Sequence, residues 1–262
     1  MRKVVMLGAP TDSNSSFRRG PAAAPPRIRA ALFSDMGNAA AENGRELGRD
    51  IDFADLGDLA LTETQADDGI IADAMAAAAR GGGVPILLGG DHYVTGPAVR
   101  GLAAVHGPVN ILHFDAHPDL YDDFEGNPRS HASPFARIME AGAAVRLVQV
   151  GIRTMNGHCR AQAARWGVEV FGMRDFVAGA VPIPPPPLYV SIDLDGLDPA
   201  FAPGVSHHEP GGLSVRQVLD VLQRIEGGLV GADVVELNPH FDINDMTAVV
   251  AAKLVKELAS LV

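Results

Sequence analysis

The chain has 262 residues, 47% hydrophobic and 20% charged, so it is long enough to bury a large core without cross-links. Its 21 Lys and Arg against 32 Asp and Glu give a formal charge of −11, which argues against a phosphate backbone as the main partner. One cysteine, Cys159, excludes an intramolecular disulfide and suits a reducing compartment, and no run of about 18 apolar residues offers a membrane span.

The opening Met-Arg-Lys-Val-Val-Met-Leu-Gly has an apolar run too short for a signal peptide. It reads as a first strand, 3–7, ending in a Gly-Ala-Pro turn, and a cytoplasmic location is expected. Gly20-Pro-Ala-Ala-Ala-Pro-Pro26 precedes a helix at 27–33, because proline suits a helix start. A strand at 51–56 and a helix at 66–80 follow, the helix carrying Ile70, Ile71, Ala74 and Met75 at helical spacing. Next come strand 84–88, helix 96–105, strand 109–115, helix 133–141, strand 146–150, helix 155–166 and strand 168–171. The stiff Pro182-Ile-Pro-Pro-Pro-Pro187 feeds strand 188–193. Helix 214–225, strand 229–237 and helix 245–261 complete the chain. Such alternation implies parallel strands joined by helical crossovers, an α/β sheet covered on both faces. No shift of composition divides it, so a single domain over 1–262 is expected.

Four clusters fall at the C-terminal ends of predicted strands, the edge where open α/β sheets bind ligands. Gly89-Gly-Asp-His92 alone reads as a turn with a helix cap. In Asp115-Ala-His117-Pro-Asp119, spacing of two puts the three polar side chains on one face if the extended conformation continues. Like carboxylates so placed repel unless a cation lies between them. His113 shares their parity, so it either orients a ligand or is a plain buried histidine. Asp193-Leu-Asp195 alternates in the same way. An EF-hand loop is excluded, because the Gly at position six and the Glu at twelve are missing. The string also looks like the nucleophile motif of haloacid-dehalogenase-type phosphatases, but Leu197 stands where Thr belongs and the motif does not open the chain. Glu236 ends the last strand.

Together His92, Asp115, His117, Asp119, Asp193 and Asp195 supply two imidazoles and four carboxylates. That set is too anionic for one zinc and lacks the sulfur of a soft-metal site, and it suits two hard or borderline divalent ions such as Mn²⁺. Four carboxylates against two divalent cations are neutral, and a bridging hydroxide leaves about −1, an environment favouring a cationic substrate.

These residues resemble those of the ureohydrolases, the arginases, agmatinases and relatives, and most of all the plant-type arginases. The matching strings are Asn14-Ser-Ser-Phe17, Gly20-Pro21 with Ala24-Pro-Pro-Arg-Ile-Arg29, Leu88-Gly-Gly-Asp-His92 and Ile111-Leu-His-Phe-Asp-Ala-His-Pro-Asp119. Phe124-Glu-Gly-Asn127, Ser130-His-Ala-Ser133, Phe135-Ala-Arg-Ile-Met-Glu140, Val150-Gly-Ile-Arg153 and Leu197-Asp-Pro-Ala-Phe-Ala-Pro-Gly-Val-Ser-His207 continue the match. Glu209-Pro-Gly-Gly-Leu213, Gly231-Ala-Asp-Val-Val-Glu236, Met246-Thr-Ala and Ala251-Ala-Lys-Leu254 close it, so it runs from about Leu7 to the C-terminus.

The resemblance implies a three-layer αβα sandwich around an eight-stranded, mainly parallel sheet, two Mn²⁺ per subunit and a homotrimer or homohexamer. It implies a cationic guanidino substrate, attacked by a metal-bound hydroxide because resonance makes the guanidinium carbon a poor electrophile. By position His92, Asp115, Asp119 and Asp193 would serve one or both metals, with His117 and Asp195 completing the pair. Glu236 matches the glutamate that pairs with the guanidinium, and His131 the histidine that acts as acid or proton shuttle. Arginine is the expected substrate, with agmatine or a guanidino acid such as guanidinobutyrate as the alternative.

Some positions depart from parts of the family. His207 stands where agmatinases and animal-type arginases carry a pocket threonine, and His208 where plant-type arginases carry an apolar residue. Tyr121 and Asn127 occupy positions at which animal-type arginases read the α-amino acid group. A catalytically silent oligomeric regulator on the same fold is a competing reading, opposed by the retention of all six ligand positions with His131 and Glu236. A phosphatase reading leaves Asp115-Ala-His-Pro-Asp119 unexplained.

Overall fold

The computed structural model describes residues 3–262; residues 1 and 2, which begin the run read as a first strand, lie outside the described residues. The strands are β1 (Lys3–Ala9), β2 (Phe53–Asp58), β3 (Gly83–Gly89), β4 (Val109–Phe114), β5 (Ala144–Val150), β6 (Glu169–Phe171), β7 (Leu188–Asp193) and β8 (Leu229–Val235). They form one sheet in the order β2-β1-β3-β8-β7-β4-β5-β6, every pair parallel where a mainly parallel sheet was expected. The chain first builds β1 to β3, then β4 to β6. Only afterwards does it slot β7 and β8 between β3 and β4.

Parallel strands need crossovers, and six of them carry α-helices: α1 (Ala24–Leu32), α2 (Asp67–Arg80), α3 (Thr95–His106), α4 (Pro134–Glu140), α5 (Gly157–Trp166) and α6 (Val215–Leu222). Short 3-10 turns join β6 to β7, and α7 (Met246–Ser260) follows β8. Alternation along each strand divides the core in two. Leu112, Phe114, Val190, Ile192 and Val234 pack with Ile28 of α1, Leu219 of α6 and Leu254 of α7. Ile111, Tyr189 and Leu87 pack on the other face with Ile71 of α2, Leu102 of α3 and Phe135 of α4.

The element ends differ from the sequence expectation for local reasons. Helix α1 begins at Ala24, three residues early, because Pro25 and Pro26 fit a first turn whose N–H groups have no helical partner. Helix α5 starts at Gly157 because Asn156 Oδ1 caps it, accepting from Cys159 N at 2.9 Å. Strand β8 stops at Val235, since Glu236 takes a left-handed φ of 65°.

Candidate metal centre

Strand register sets the site. Gln149 of β5, His113 of β4, Ser191 of β7 and Asp233 of β8 are successive partners across the sheet. They form a buried polar row across the sheet, facing the same side as Ile111 and Tyr189. Two residues further along that face, at the C-terminal edge, stand Asp115 and Asp193. Three hydroxyls donate to Asp233: Thr95 at 2.7 Å, Tyr189 at 2.6 Å and Ser191 at 2.6 Å.

The remaining polar residues arrive through turns. A side chain on Gly90 would place its Cβ 1.7 Å from Thr11 O, so only glycine lets the chain pass β1 as it leaves β3. His92 then opens a short 3-10 turn, wholly buried. Asp91 caps nothing, contrary to the reading of the motif as a helix cap; its Oδ2 instead accepts from Asn14 N at 2.9 Å. The extended path foreseen for Asp115 to Asp119 also breaks, because β4 ends at Phe114 and Asp119 has a φ of 48°. Asp195 likewise leaves the extended path, lying inside a 3-10 turn with its amide held by Asp193 Oδ1 at 2.8 Å. Turns bring together what alternation alone does not.

Two groups of donor atoms result. His92 Nδ1 lies 3.2, 3.0 and 3.1 Å from one Oδ2 each of Asp115, Asp119 and Asp193. His117 Nδ1 lies 3.2 Å from Asp195 Oδ2 and 3.4 Å from Asp115 Oδ1. Asp115 therefore contributes one oxygen to each group. His113 Nε2 meets Asp115 Oδ2 at 2.8 Å while its Nδ1 accepts from Gln149 at 3.1 Å, so it supports Asp115 from behind.

The set fits hard cations on an observation of its own. Ser191 donates to Asp233, so its oxygen is left to accept from His92 Nε2 at 3.0 Å. In the neutral ring, His92 Nδ1 is then a bare lone pair facing three carboxylate oxygens, with no hydrogen-bond partner among the described residues. Such an array is repulsive unless a cation sits within it. The charges show the same strain. Burial and the neighbouring Asp195 and Asp115 push Asp193 well above the carboxylate range. Burial and Asp115 push Asp195 up to about 6, against the pull of His117. For His92 burial disfavours the charged ring but the three carboxylates outweigh it and raise the pKa, so a positive charge at Nδ1, whether a proton or a cation, is what the array favours.

Beside the acids stands a second pair. Glu236 Oε1 accepts from His92 N at 2.9 Å and lies 2.8 Å from His131 Nδ1, while Oε2 is buried without a hydrogen-bond partner among the described residues. Ser16 presents its amide and hydroxyl to His131 Nε2 at 3.2 and 2.8 Å. Burial disfavours a charged ring and the amide favours a bare Nε2, but the Glu236 carboxylate prevails and raises His131 to about 9. Glu236 in turn is held low by His131, against its burial.

A cavity of about 240 Å³ opens over these groups, lined in part by Asp119, Tyr121, His131, His207, Glu209 and Glu236. Asn127 stands outside that lining; its amide donates to Asn14 Oδ1 at 3.2 Å. His208 is also outside, bonded through Nε2 to Pro203 O at 2.8 Å. Sequence reasoning assigned nothing to Ser16, Ser191 or Asp233. Asp233 was findable, as a lone charge in a wholly apolar strand.

The Arginase family matches residues 2–260. The chain is 49% identical over 272 residues to Arginase 1, mitochondrial, of Arabidopsis thaliana, covering 97% of this chain and 80% of that one. It is 33% identical to the human Guanidino acid hydrolase, mitochondrial, over 96% of this chain and 76% of that one. Among solved structures, the arginase from Medicago truncatula superposes with a TM-score of 0.92 at 45% identity, over 99% of this chain and 87% of that one. The expected cytoplasmic location does not stand, because the plant relatives carry mitochondrial, or chloroplastic and mitochondrial, in their names.

Proposed function

The chain belongs to the arginase family, and from that premise we propose that it hydrolyses L-arginine to urea and L-ornithine with two Mn²⁺. The single observation that carries this reading is the Glu236–His131 pair set beside two histidine–carboxylate groups that share Asp115. Arginine is favoured over other guanidines because the plant arginase is nearer in sequence than the guanidino acid hydrolase.

His92, Asp115, Asp119 and Asp193 would hold one ion, and His117, Asp195 and Asp115 the other. When bound, the ions supply a nucleophile from water at neutral pH. Every other part of the work falls to this chain. Glu236 Oε2 is free to accept from the planar guanidinium, whose N–H pairs match a carboxylate. The bound guanidinium is thereby aimed at the acids beside it, and resonance within it is polarised toward the nitrogen that leaves. That nitrogen must gain a proton. His131, raised to about 9, carries one at Nδ1 against Glu236, at the place where the leaving amine forms. Its Nε2 faces Ser16 and the cavity, a route by which the proton is replaced. Assembly as a homotrimer or homohexamer belongs to the same reading and is tested by light scattering.

The deciding experiment measures urea released by Mn²⁺-loaded protein from equimolar arginine, agmatine and guanidinobutyrate. Arginine is expected to turn over fastest. Faster release from agmatine overturns the choice of substrate, and no urea from any of the three overturns the hydrolase reading.

A further inference from the structure

The carboxylates that line the cavity are not equivalent. Asp119, Asp193 and Asp195 belong to the two donor groups around His92 and His117, and Glu236 is engaged by His131. Glu209 remains. It lines the same cavity, its side chain is 40% exposed, and no described residue donates a hydrogen bond to its carboxylate. Its nearest cationic partner, His117 Nε2, is 3.8 Å away, beyond hydrogen-bonding reach.

The backbone that carries Glu209 is nonetheless fixed. Arg153 donates to Glu209 O from Nε at 2.8 Å and from Nη2 at 2.5 Å. The same guanidinium donates to Asp195 O at 2.7 Å and to Gly196 O at 3.0 Å. Glu209 is therefore tied to the turn that bears one of the donor groups, and its position relative to the cavity floor does not depend on its own side chain. Among the described residues the lining holds no lysine or arginine, and His117 is the cationic group recorded near this carboxylate.

We infer that Glu209, which lines the same cavity as Glu236, is the subsite for the substrate's second cation, a primary ammonium. The inference rests on the guanidinium binding at Glu236. An ammonium of a substrate anchored there that reaches Glu209 finds an acceptor whose backbone is already fixed and whose carboxylate receives no hydrogen bond from a described residue. Arginine offers its α-ammonium and agmatine its terminal one, so the shared chemistry is a primary ammonium several carbons from a guanidinium.

The test compares substrates that differ only in that group, using the Mn²⁺-loaded full chain. Arginine is paired with 5-guanidinovalerate, which lacks the α-ammonium, and agmatine with n-butylguanidine. Urea release gives kcat and KM for the parent and for Glu209→Gln, and bound manganese is counted in both. Loss of a charge-assisted hydrogen bond at a half-open site is expected to lower the arginine to 5-guanidinovalerate ratio of kcat/KM about tenfold, mainly through KM for arginine. A matching fall in the agmatine to n-butylguanidine ratio supports a subsite for any primary ammonium. A fall confined to arginine supports one for the α-ammonium alone. Equal ratios in parent and variant overturn the subsite, and so does an equal loss on all four compounds with loss of manganese, which would mean that Glu209 acts through His117. If the parent releases no urea from arginine, it is the arginase reading that has failed.

Discussion

Ser191 and Asp233 are partners in register on β7 and β8, and their side chains meet at 2.6 Å. That contact fixes the proton order of the row, since a hydroxyl that donates to Asp233 can only accept from His92. The consequence is a histidine whose Nε2 carries the proton in the neutral ring, which leaves Nδ1 as the atom turned to the carboxylates. Asp233→Asn, which can donate as well as accept, is expected to weaken Mn²⁺ binding about 10- to 100-fold, the usual effect of removing the partner that orients a ligand. Calorimetric titration of metal-free protein measures it, with Ser191→Ala as the second probe. Unchanged affinity in both variants refutes the chain of control.

The pairing of His131 with Glu236 separates proton delivery from metal holding. His131→Asn is expected to cut kcat by about 10²- to 10⁴-fold, the range for a positioned acid. Elemental analysis should still find the metal content of the parent. Metal lost together with activity would place His131 among the supports of the centre.

Acid stability has a separate origin, far from the centre. Glu42 accepts from Arg216 at 2.6 and 2.9 Å and from Gln223 at 2.8 Å, and these bonds lower it to about 2. Because the folded value lies below the unfolded one, the stabilisation is complete above about pH 4.5 and is lost as pH falls toward 2. Glu42→Gln should therefore be less stable than the parent at pH 7, with the gap closing over that window. Urea melts at several pH values decide it, and a gap independent of pH rules the account out.

Removal of metal should leave a measurable mark on the fold. The carboxylates around His92 Nδ1 repel one another without a cation, and an ion bound only by the folded state stabilises by mass action. Chelator-treated protein is expected to melt at a lower temperature, with Tm climbing as Mn²⁺ is added back. A Tm insensitive to Mn²⁺ over a wide concentration range would exclude these residues as its site.

Much of this architecture was legible in the sequence because its signals are local. β-branched runs such as Leu188–Asp193 announced strands, and the helical spacing of Ile71 and Met75 announced α2. The six donor residues were legible because each ends a strand or begins the turn after it. What the chain did not disclose was how Asp119 and Asp195 reach the others. Period-two alternation predicts a shared face, but a left-handed residue and a 3-10 turn do the work instead. Nor could Ser16 be tied to His131, since 115 positions separate them. Glu236 was placed correctly at a strand end, but its left-handed backbone, which turns its carboxylate under His92 N, has no signature in residue type.

The strand order carries one more implication. Because β8 and β7 stand between β3 and β4, those two strands are about 14 Å apart, three strand spacings, although they are consecutive in the chain. His92 and Asp115 grow from the opposite banks of that gap, and their contact spans the strands that fill it. A chain that has made only its first six strands holds His92, Asp115, His117 and Asp119 but has no floor between them. The contact of His92 with Asp115 therefore requires the two halves of the sheet to be joined by the strands that come last in the sequence.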